Sequence, residues 1–286
     1  MIRGLSDIVV ISGVDHVLLD ENGMLPSVDR DMIRLFCGRG GRFTLATHRT
    51  PESVRGALGE LALSLPAVCC CGSLIYDFTE NKAAASHPLD AAAAGLLADM
   101  LQHIPHLGAS VTDEAGRTHV VQMNAAAAAC CRREKLACVL QPPEDAVFPW
   151  LSLRFYGDAH AIGAVLRQLQ TAEQAGPFPF VSCRPDRNSV EIVAAGCGTA
   201  AGLAEMRCAC RIPPENFYAV GGSTFDLGVM AAAGMAAAVG DAPSAVKLAA
   251  GCEASTAAAQ GAVAELLYGL MRQYGGTEPY SISDRR

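Results

Sequence analysis

The sequence has no basic cluster, no long apolar run and no leader-like beginning. Its 286 residues carry 22 Lys and Arg against 29 Asp and Glu, a net charge of −7. A chain with an excess of acid lacks the positive surface that follows a phosphate backbone. No stretch approaches the roughly 18 apolar residues of a membrane span, and the N-terminus lacks the apolar core and cleavage site of a signal peptide. We therefore expect a cytoplasmic protein that binds neither nucleic acid nor membrane.

The 12 cysteines lack the spacing of a disulfide framework or a zinc site. Cys69 to Cys71 are consecutive and Cys130 is followed directly by Cys131, whereas disulfide-rich folds are usually short secreted chains. Cys208 and Cys210 are closer together than the usual zinc-binding pair. We expect reduced thiols that pack as small apolar side chains, with a redox or metal role as the alternative.

Short strands and helices alternate at both ends of the chain. The run from His16 to Leu19 predicts a buried strand, and a helix is expected from Pro26 to about Cys37. Phe43 to Ala46 predicts the next strand, and Phe217 to Val220 begins a similar series near the end. Alternating units of this kind favour a parallel sheet with crossover helices.

The middle of the chain has a different pattern. Segments such as RTHVVQMN (117–124), LSLRFY (151–156) and SVEIV (189–193) alternate as a sheet with one exposed face does. We predict an α/β protein with a Rossmann-like parallel-sheet core, formed by residues 1–81 and 195–286. An α+β domain is inserted into this core at residues 82–194.

Five segments resemble, in order, the motifs of the haloacid dehalogenase (HAD) superfamily, in its Cof-like phosphatase branch with a large α/β cap. The family's D-x-D-G-T-L is similar to DENGML (20–25), and its T-G-R is similar to ATHR (46–49). CGSLIYD (71–77) resembles the segment before the cap, and EIVAAGCGTA (191–200) resembles the segment after it. GGSTFDLGVM (221–230) resembles the last motif, G-D-x-x-N-D-x-x-M. The resemblance implies a HAD core, a cap and phosphatase chemistry.

The resemblance implies a role for each matched position of the catalytic set. Asp20 takes the position of the nucleophile, and Asn22 takes that of the general acid and base. Thr47 takes the position of the phosphate-binding hydroxyl, and Thr199 that of the family lysine. Asn22 cannot exchange a proton at neutral pH, and such exchange contributes about 10²- to 10⁴-fold. Thr199 carries no charge, so the stabilisation of a preorganised cation is lost.

The resemblance also implies a substrate pocket beside these positions and an incomplete magnesium site. The pocket residues are His48, Arg49 and Gly23. Mg²⁺ is a candidate cofactor with Asp20 and Asp226 as ligands, whereas Gly222 and Phe225 replace the family's acidic ligand and asparagine. Because Mg²⁺ requires an octahedral set of oxygens, this site is one carboxylate short.

These changes favour a HAD-like protein with a degenerate phosphatase site and little or no hydrolysis, retained to bind a small molecule or a partner. The alternative is an active phosphatase for a small phosphorylated metabolite, with Asp20 as the nucleophile, an atypical metal site and His48 as a proton carrier. A structural role unrelated to the cleft is a third hypothesis. The oligomeric state is left open.

The ligand class also stays open at this point. Without a lysine beside Asp20 the predicted pocket is acidic, so a cationic or neutral ligand is as plausible as a phosphate. In the cap, Arg154, Tyr156 and His119 lie on predicted strands and are candidates for ligand selection.

Overall fold

A computed structural model of the chain describes residues 2, 4–20, 22–137, 139–146 and 148–275. Within these ranges, no helix is both long and apolar enough to cross a membrane. The strands are β1 (Val9–Ser12), β2 (Arg42–Leu45), β3 (Ala67–Cys69), β4 (Leu74–Asp77), β5 (Lys82–Ser86), β6 (Gly108–Asp113), β7 (Thr118–Gln122), β8 (Val139–Leu140), β9 (Trp150–Tyr156), β10 (Phe180–Asp186), β11 (Ser189–Ala194), β12 (Phe217–Gly221), β13 (Met235–Ala238) and β14 (Cys252–Glu253). The helices are α1 (Ser27–Gly38), α2 (Pro51–Leu58), α3 (Ala92–His103), α4 (Ala125–Glu134), α5 (Ala159–Ala175), α6 (Thr199–Cys210), α7 (Leu227–Ala232), α8 (Ser244–Ala249) and α9 (Ala262–Tyr274).

A parallel sheet forms the core, with the strand order β14-β13-β12-β1-β2. An isolated parallel bridge between Ala46 and Val68 joins the β2 side to the segment of β3. The inner strand β1 is buried along its whole length, as expected of a parallel strand with both faces covered. The predicted α/β class with a parallel-sheet core is therefore confirmed.

The first core strand is not the one predicted from the sequence. The strand is Val9–Ser12, whereas His16 to Leu19 lies in turns in which the backbone N–H groups of Leu18 and Leu19 both donate to the carbonyl of Val14. His16 has a φ of 61°, which a strand does not accommodate. Both segments are short apolar runs, and the β-branched residues of β1 suit a strand better.

The cap contains a six-stranded sheet in the order β10-β11-β9-β6-β7-β8. Its strand pairs are antiparallel except for β7 with β8. One face packs on an apolar cluster that includes Leu97, Phe155 and Val165. Residues 150–156 of β9 and 189–193 of β11 are buried on both faces, so the expectation of an exposed face is wrong for these two strands. On β9, α4 covers Tyr156.

Among the cysteines that the structure describes, Cys131 departs from the expected reduced state. Cys69, Cys70 and Cys71 are buried free thiols, as the sequence predicted. Cys131 in α4 is disulfide-bonded, so the prediction is wrong there. The spacing of cysteines in a sequence can indicate a framework of several disulfides, but it does not reveal an isolated disulfide such as that of Cys131.

Candidate functional site

The loops that follow β1, β2 and β12 meet at one edge of the core sheet. They enclose a cavity of about 10 Å³, which is room for one water molecule. The carboxyl ends of parallel strands are where α/β proteins place their sites. The lining residues are Val14, Asp15, Ala46, Thr47, His48, Pro185, Ser223, Phe225 and Asp226.

Asp20, Asn22 and Gly23 do not line this cavity. The Asp20 Oδ1 accepts hydrogen bonds from the backbone N–H groups of Asn22, at 2.9 Å, and Met24, at 2.8 Å. This is the local role of an aspartate in a turn, and Gly23 adopts the positive φ of 70° within it. Because β1 ends at Ser12, Asp20 does not follow a core strand, and its predicted position in the site is corrected.

The acidic residue that faces the cavity from the first loop is Asp15, and it is paired with Arg49. The Arg49 Nε donates to Asp15 Oδ2 at 2.8 Å, and Nη2 donates to Oδ1 at 2.7 Å. Arg49 is only 1% exposed. Burial acts to raise the pKa of Asp15, but the hydrogen bonds from Arg49 and the charge of His48 outweigh it and hold that pKa below its ordinary value. Asp15 is therefore an ionised carboxylate with both oxygens engaged.

The second loop brings the predicted residues Thr47 and His48 into the site. Thr47 is 2% exposed, and its Oγ1 accepts the backbone N–H of Arg49 at 3.1 Å. The His48 Nε2 lies 3.6 Å from Asp15 Oδ2. The ring of Phe225 meets the His48 ring edge to face, with the centroids 5.6 Å apart. A proline at the first turn of α2 and a cap from Thr50 start a helix directly after this loop and fix its direction.

The third loop contributes Asp226, whose carboxylate is turned onto its own backbone. Its Oδ2 accepts the N–H groups of Gly222, at 3.0 Å, and Ser223, at 2.9 Å, and also the Ser223 hydroxyl. Burial raises the pKa of Asp226 above its ordinary value, and the nearby charge of Asp15 acts in the same direction. This carboxylate is therefore a poor candidate for an exposed metal ligand.

Two glycines at this edge leave no room for a side chain. A Cβ placed on Gly13, the residue after β1, would lie 2.6 Å from Asp226 Oδ1. A Cβ placed on Gly222 would lie 1.8 Å from the carbonyl oxygen of His16. The space beside both positions is therefore filled by neighbouring atoms.

Thr199 lies apart from the cavity, at the first position of α6. It is 7% exposed, and its Oγ1 would lie 3.3 Å from a Cβ placed on Gly228. In the cap, Arg154 is buried between α4 and the sheet, with Nη1 bonded to Glu134 at 2.9 Å. His119 instead bonds Asp113 and Gln141, and the Tyr156 hydroxyl bonds Ser110.

The donor set does not fit Mg²⁺. Mg²⁺ prefers several oxygen ligands in an octahedron, but Arg49 holds both oxygens of Asp15, and the loop backbone holds one oxygen of Asp226. Gly13 and Gly222 supply no side-chain oxygen. Across the part of the chain that the structure describes, no three His, Cys, Asp or Glu residues are grouped to hold a metal ion.

The family comparison matches most of the chain. Residues 10–124 and 153–267 match the model of the haloacid dehalogenase-like hydrolases, and this chain therefore belongs to that family. A search of the curated proteins found no match.

Solved structures agree with this assignment of the fold. A haloacid dehalogenase-like hydrolase from Bacteroides thetaiotaomicron is 19% identical with a TM-score of 0.80, covering 92% of this chain and 99% of its own. A protein from Plasmodium vivax described as a HAD/Cof-like hydrolase is 18% identical with a TM-score of 0.80, covering 93% and 96%. A HAD subclass IIB sugar phosphatase is 16% identical with a TM-score of 0.76, covering 94% and 99%. At these identities the likeness shows a HAD fold with a cap.

Sequence reasoning missed Gly13, Asp15 and Glu134 as parts of the site. A signal for the first two was present, because the β-branched run Val9–Ile11 is followed by GVDHVL (13–18), which also resembles the first family motif. Glu134 had no such signal, since it lies in the cap and meets His48 only through the tertiary fold, at 3.3 Å.

Proposed function

We propose that this HAD-family protein has lost phosphoryl transfer and acts by binding a ligand or a partner in the cytoplasm. The observation that carries the proposal is Gly13. The first motif of the family begins directly after the first core strand, and β1 ends at Ser12. This register favours Gly13 at the nucleophile position and Asp15 at the acid–base position. A glycine has no side-chain atom that could form the covalent intermediate.

The surroundings of Gly13 support the proposal that a single substitution would not restore phosphoryl transfer. A side chain at position 13 would collide with Asp226, and one at position 222 would collide with the backbone of His16. An aspartate at position 222 would require the backbone at His16 to move, whereas one at position 13 would require the side chains of Asp226 and Val17 to shift. Close-packed interiors resist such movement.

The state of Asp15 supports the same proposal. A general acid must hold a proton near neutral pH and reach the leaving group. The lowered pKa of Asp15 and its two hydrogen bonds to Arg49 favour an ionised, engaged carboxylate. This arrangement suits a structural ion pair better than proton transfer.

The alternative, an active phosphatase with Asp20 as the nucleophile, has less support. Asp20 is held in a local turn and does not line the cavity. Catalysis by Asp20 would require its side chain to leave this turn and reach the core edge.

The test is hydrolysis of p-nitrophenyl phosphate and a panel of sugar phosphates, with and without Mg²⁺. Wild type is assayed beside Asp15→Asn, Asp20→Asn and the exposed control Asp31→Asn. We expect the same background rate for all four proteins. Turnover that Asp20→Asn alone abolishes would establish the alternative. Turnover that Asp15→Asn abolishes would instead mean that the core edge is still catalytic.

A further inference from the structure

Glu134, the last residue of α4, is a buried carboxylate at the boundary between the cap and the core. It is 2% exposed. Its Oε1 lies 2.9 Å from Arg154 Nη1 and 3.3 Å from His48 Nε2. The Cys130 thiol donates to the same oxygen at 3.0 Å. The acceptor comes from the cap, whereas His48 comes from the core, so this atom joins the two parts of the molecule.

The backbone of Glu134 makes a second connection to the core. The Ser53 hydroxyl of α2 donates to the Glu134 carbonyl at 2.7 Å. Ser53 Oγ in turn accepts Arg49 Nη1 at 3.0 Å. Helix α4 ends at this point because Lys135 takes the left-handed conformation, which is a common helix terminus. The end of α4 is thus fixed on the loop that carries His48 and Arg49.

Glu134 is one of several carboxylates around the buried arginines, and Glu191, which is 3% exposed, also acts on Arg154. Arg49 is paired with Asp15, and Arg133 is paired with Asp186 at 2.6 Å. The nearest carboxylate to Arg154 is that of Glu134, since Asp186 lies farther away, at 3.8 Å. Burial acts to raise the pKa of Glu134, but the charges of Arg154 and His48 hold that pKa well below its ordinary value.

We propose that Glu134 is an internal anion that fills a pocket between Arg154 and His48, holds the cap closed and excludes external anions such as phosphate. A buried arginine without a partner is strongly unfavourable, so this pocket requires an anion. The chain supplies one at high effective concentration. This inference of an autoinhibitory contact rests on the proposed function in one respect, namely that the cleft hydrolyses no substrate.

Isothermal titration of the metal-free protein with inorganic phosphate tests the proposal. Wild type and the exposed control Glu173→Gln should show no binding at millimolar phosphate. Glu134→Ala, which removes the internal anion, should bind phosphate at least about tenfold more tightly than wild type. The double variant Glu134→Ala/Arg154→Ala should lose that binding, because the principal cation is gone.

Hydrogen exchange supplies a second readout, for closure of the cap. Peptides from α2 and α4 should exchange about tenfold faster in Glu134→Ala than in wild type, and phosphate should slow them again. If Glu134→Ala fails to fold, Glu134→Gln replaces it, with the same direction expected for both readouts.

Two results would overturn the proposal. One is phosphate binding by wild type with the affinity of the folded Glu134 variant, and the other is a folded variant that binds no phosphate. Hydrolysis by wild type would contradict the proposed function instead, without changing either binding result.

Discussion

The edge of the core sheet and the inner side of the cap differ in what occupies them. At the core edge, neighbouring atoms occupy the space beside Gly13 and Gly222. The polar side chains there form hydrogen bonds with each other or with the backbone of their own loop. At the inner side of the cap, Glu134 and Arg154 are buried charges whose partners include a core residue. The HAD fold itself rests on the apolar strands and helices, and the polar groups at these two places are additions to it.

Two buried carboxylates, Glu134 and Asp29, also differ in the groups that surround them. Glu134 is surrounded by cations, whereas Asp29 in α1 is fully buried and accepts only the backbone N–H of Ala264. Its Oδ2 has no hydrogen-bond partner in the described residues. These two acids should respond to pH in opposite directions.

The largest expected effect is at the core edge. Gly222→Ala should lower the free energy of unfolding by about 4 kcal/mol or more, because its Cβ would meet backbone rather than a flexible side chain. Gly269→Ala, in an exposed part of α9 with open space around it, is the matched control and should gain up to about 1 kcal/mol. Urea unfolding measures both. Equal effects of the two substitutions would mean that the core edge is not tightly packed.

The next effect is at the cap. Glu134→Ala should lower the free energy of unfolding by about 3 kcal/mol, because it leaves Arg154 buried without its carboxylate. Adding Arg154→Ala should recover part of that loss. Arg117→Ala breaks an ion pair whose arginine side chain is 69% exposed and should cost less than about 1 kcal/mol. A double-mutant cycle by urea unfolding measures the coupling energy between Glu134 and Arg154. A coupling energy near zero would contradict their pairing.

A smaller effect on the free energy of unfolding is expected at Asp29, and its dependence on pH should be opposite to that of Glu134. Burial raises the pKa of Asp29 from 3.8 to about 6 in the folded protein. Ionisation therefore opposes folding, so stability is highest below pH 3.8 and falls as the pH rises through about 6. Asp29→Asn should be more stable than wild type by about 2 to 3 kcal/mol at pH 8, and the difference should vanish near pH 3.5. Thermal unfolding across this range measures it, and a difference that is constant with pH would exclude titration of Asp29 as the cause.

The pH dependence of Glu134 provides the comparison. Its pKa is well below the ordinary 4.5, so its contribution is present above about pH 4.5 and is lost as the pH falls further. Wild type and Glu134→Gln should therefore converge in acid, whereas the difference between wild type and Asp29→Asn should grow from pH 3.8 to about 6.

The smallest effect is expected at Glu265 of α9, outside both regions. Hydrogen bonds from the backbone of Ser255 and from the Thr256 hydroxyl lower the pKa of Glu265 to about 2. Because this group is largely solvated, Glu265→Gln should cost only about 0.5 to 1 kcal/mol at pH 7. The loss should shrink as the pH falls from about 4.5 to 2. Chemical denaturation at pH 7 and pH 3 tests this, and a cost above that of Glu134→Ala would reverse the proposed order.

Three of the predicted site residues follow strands that the sequence identified, and their site role stays a prediction. Thr47 and His48 follow β2 and Asp226 follows β12, and the structure brings all three to one cavity. The first motif was misplaced because two apolar runs, Val9–Ile11 and Val17–Leu19, compete for a single strand. Periodicity does not separate such short runs. The choice between them decides whether Asp15 or Asp20 faces the core edge.

The sequence by itself determined the α/β class and the order of the core motifs, because these depend on local apolar patterns and on segments that are contiguous in the chain. Only the tertiary structure decided that Asp15 faces Arg49, that Asp226 lies against Gly13, and that Glu134 of the cap meets His48 of the core. Those contacts join residues far apart in the chain, and their distances depend on how the whole backbone packs. The pairing of the buried charges around Asp15 and Glu134 is accordingly a property of the folded molecule.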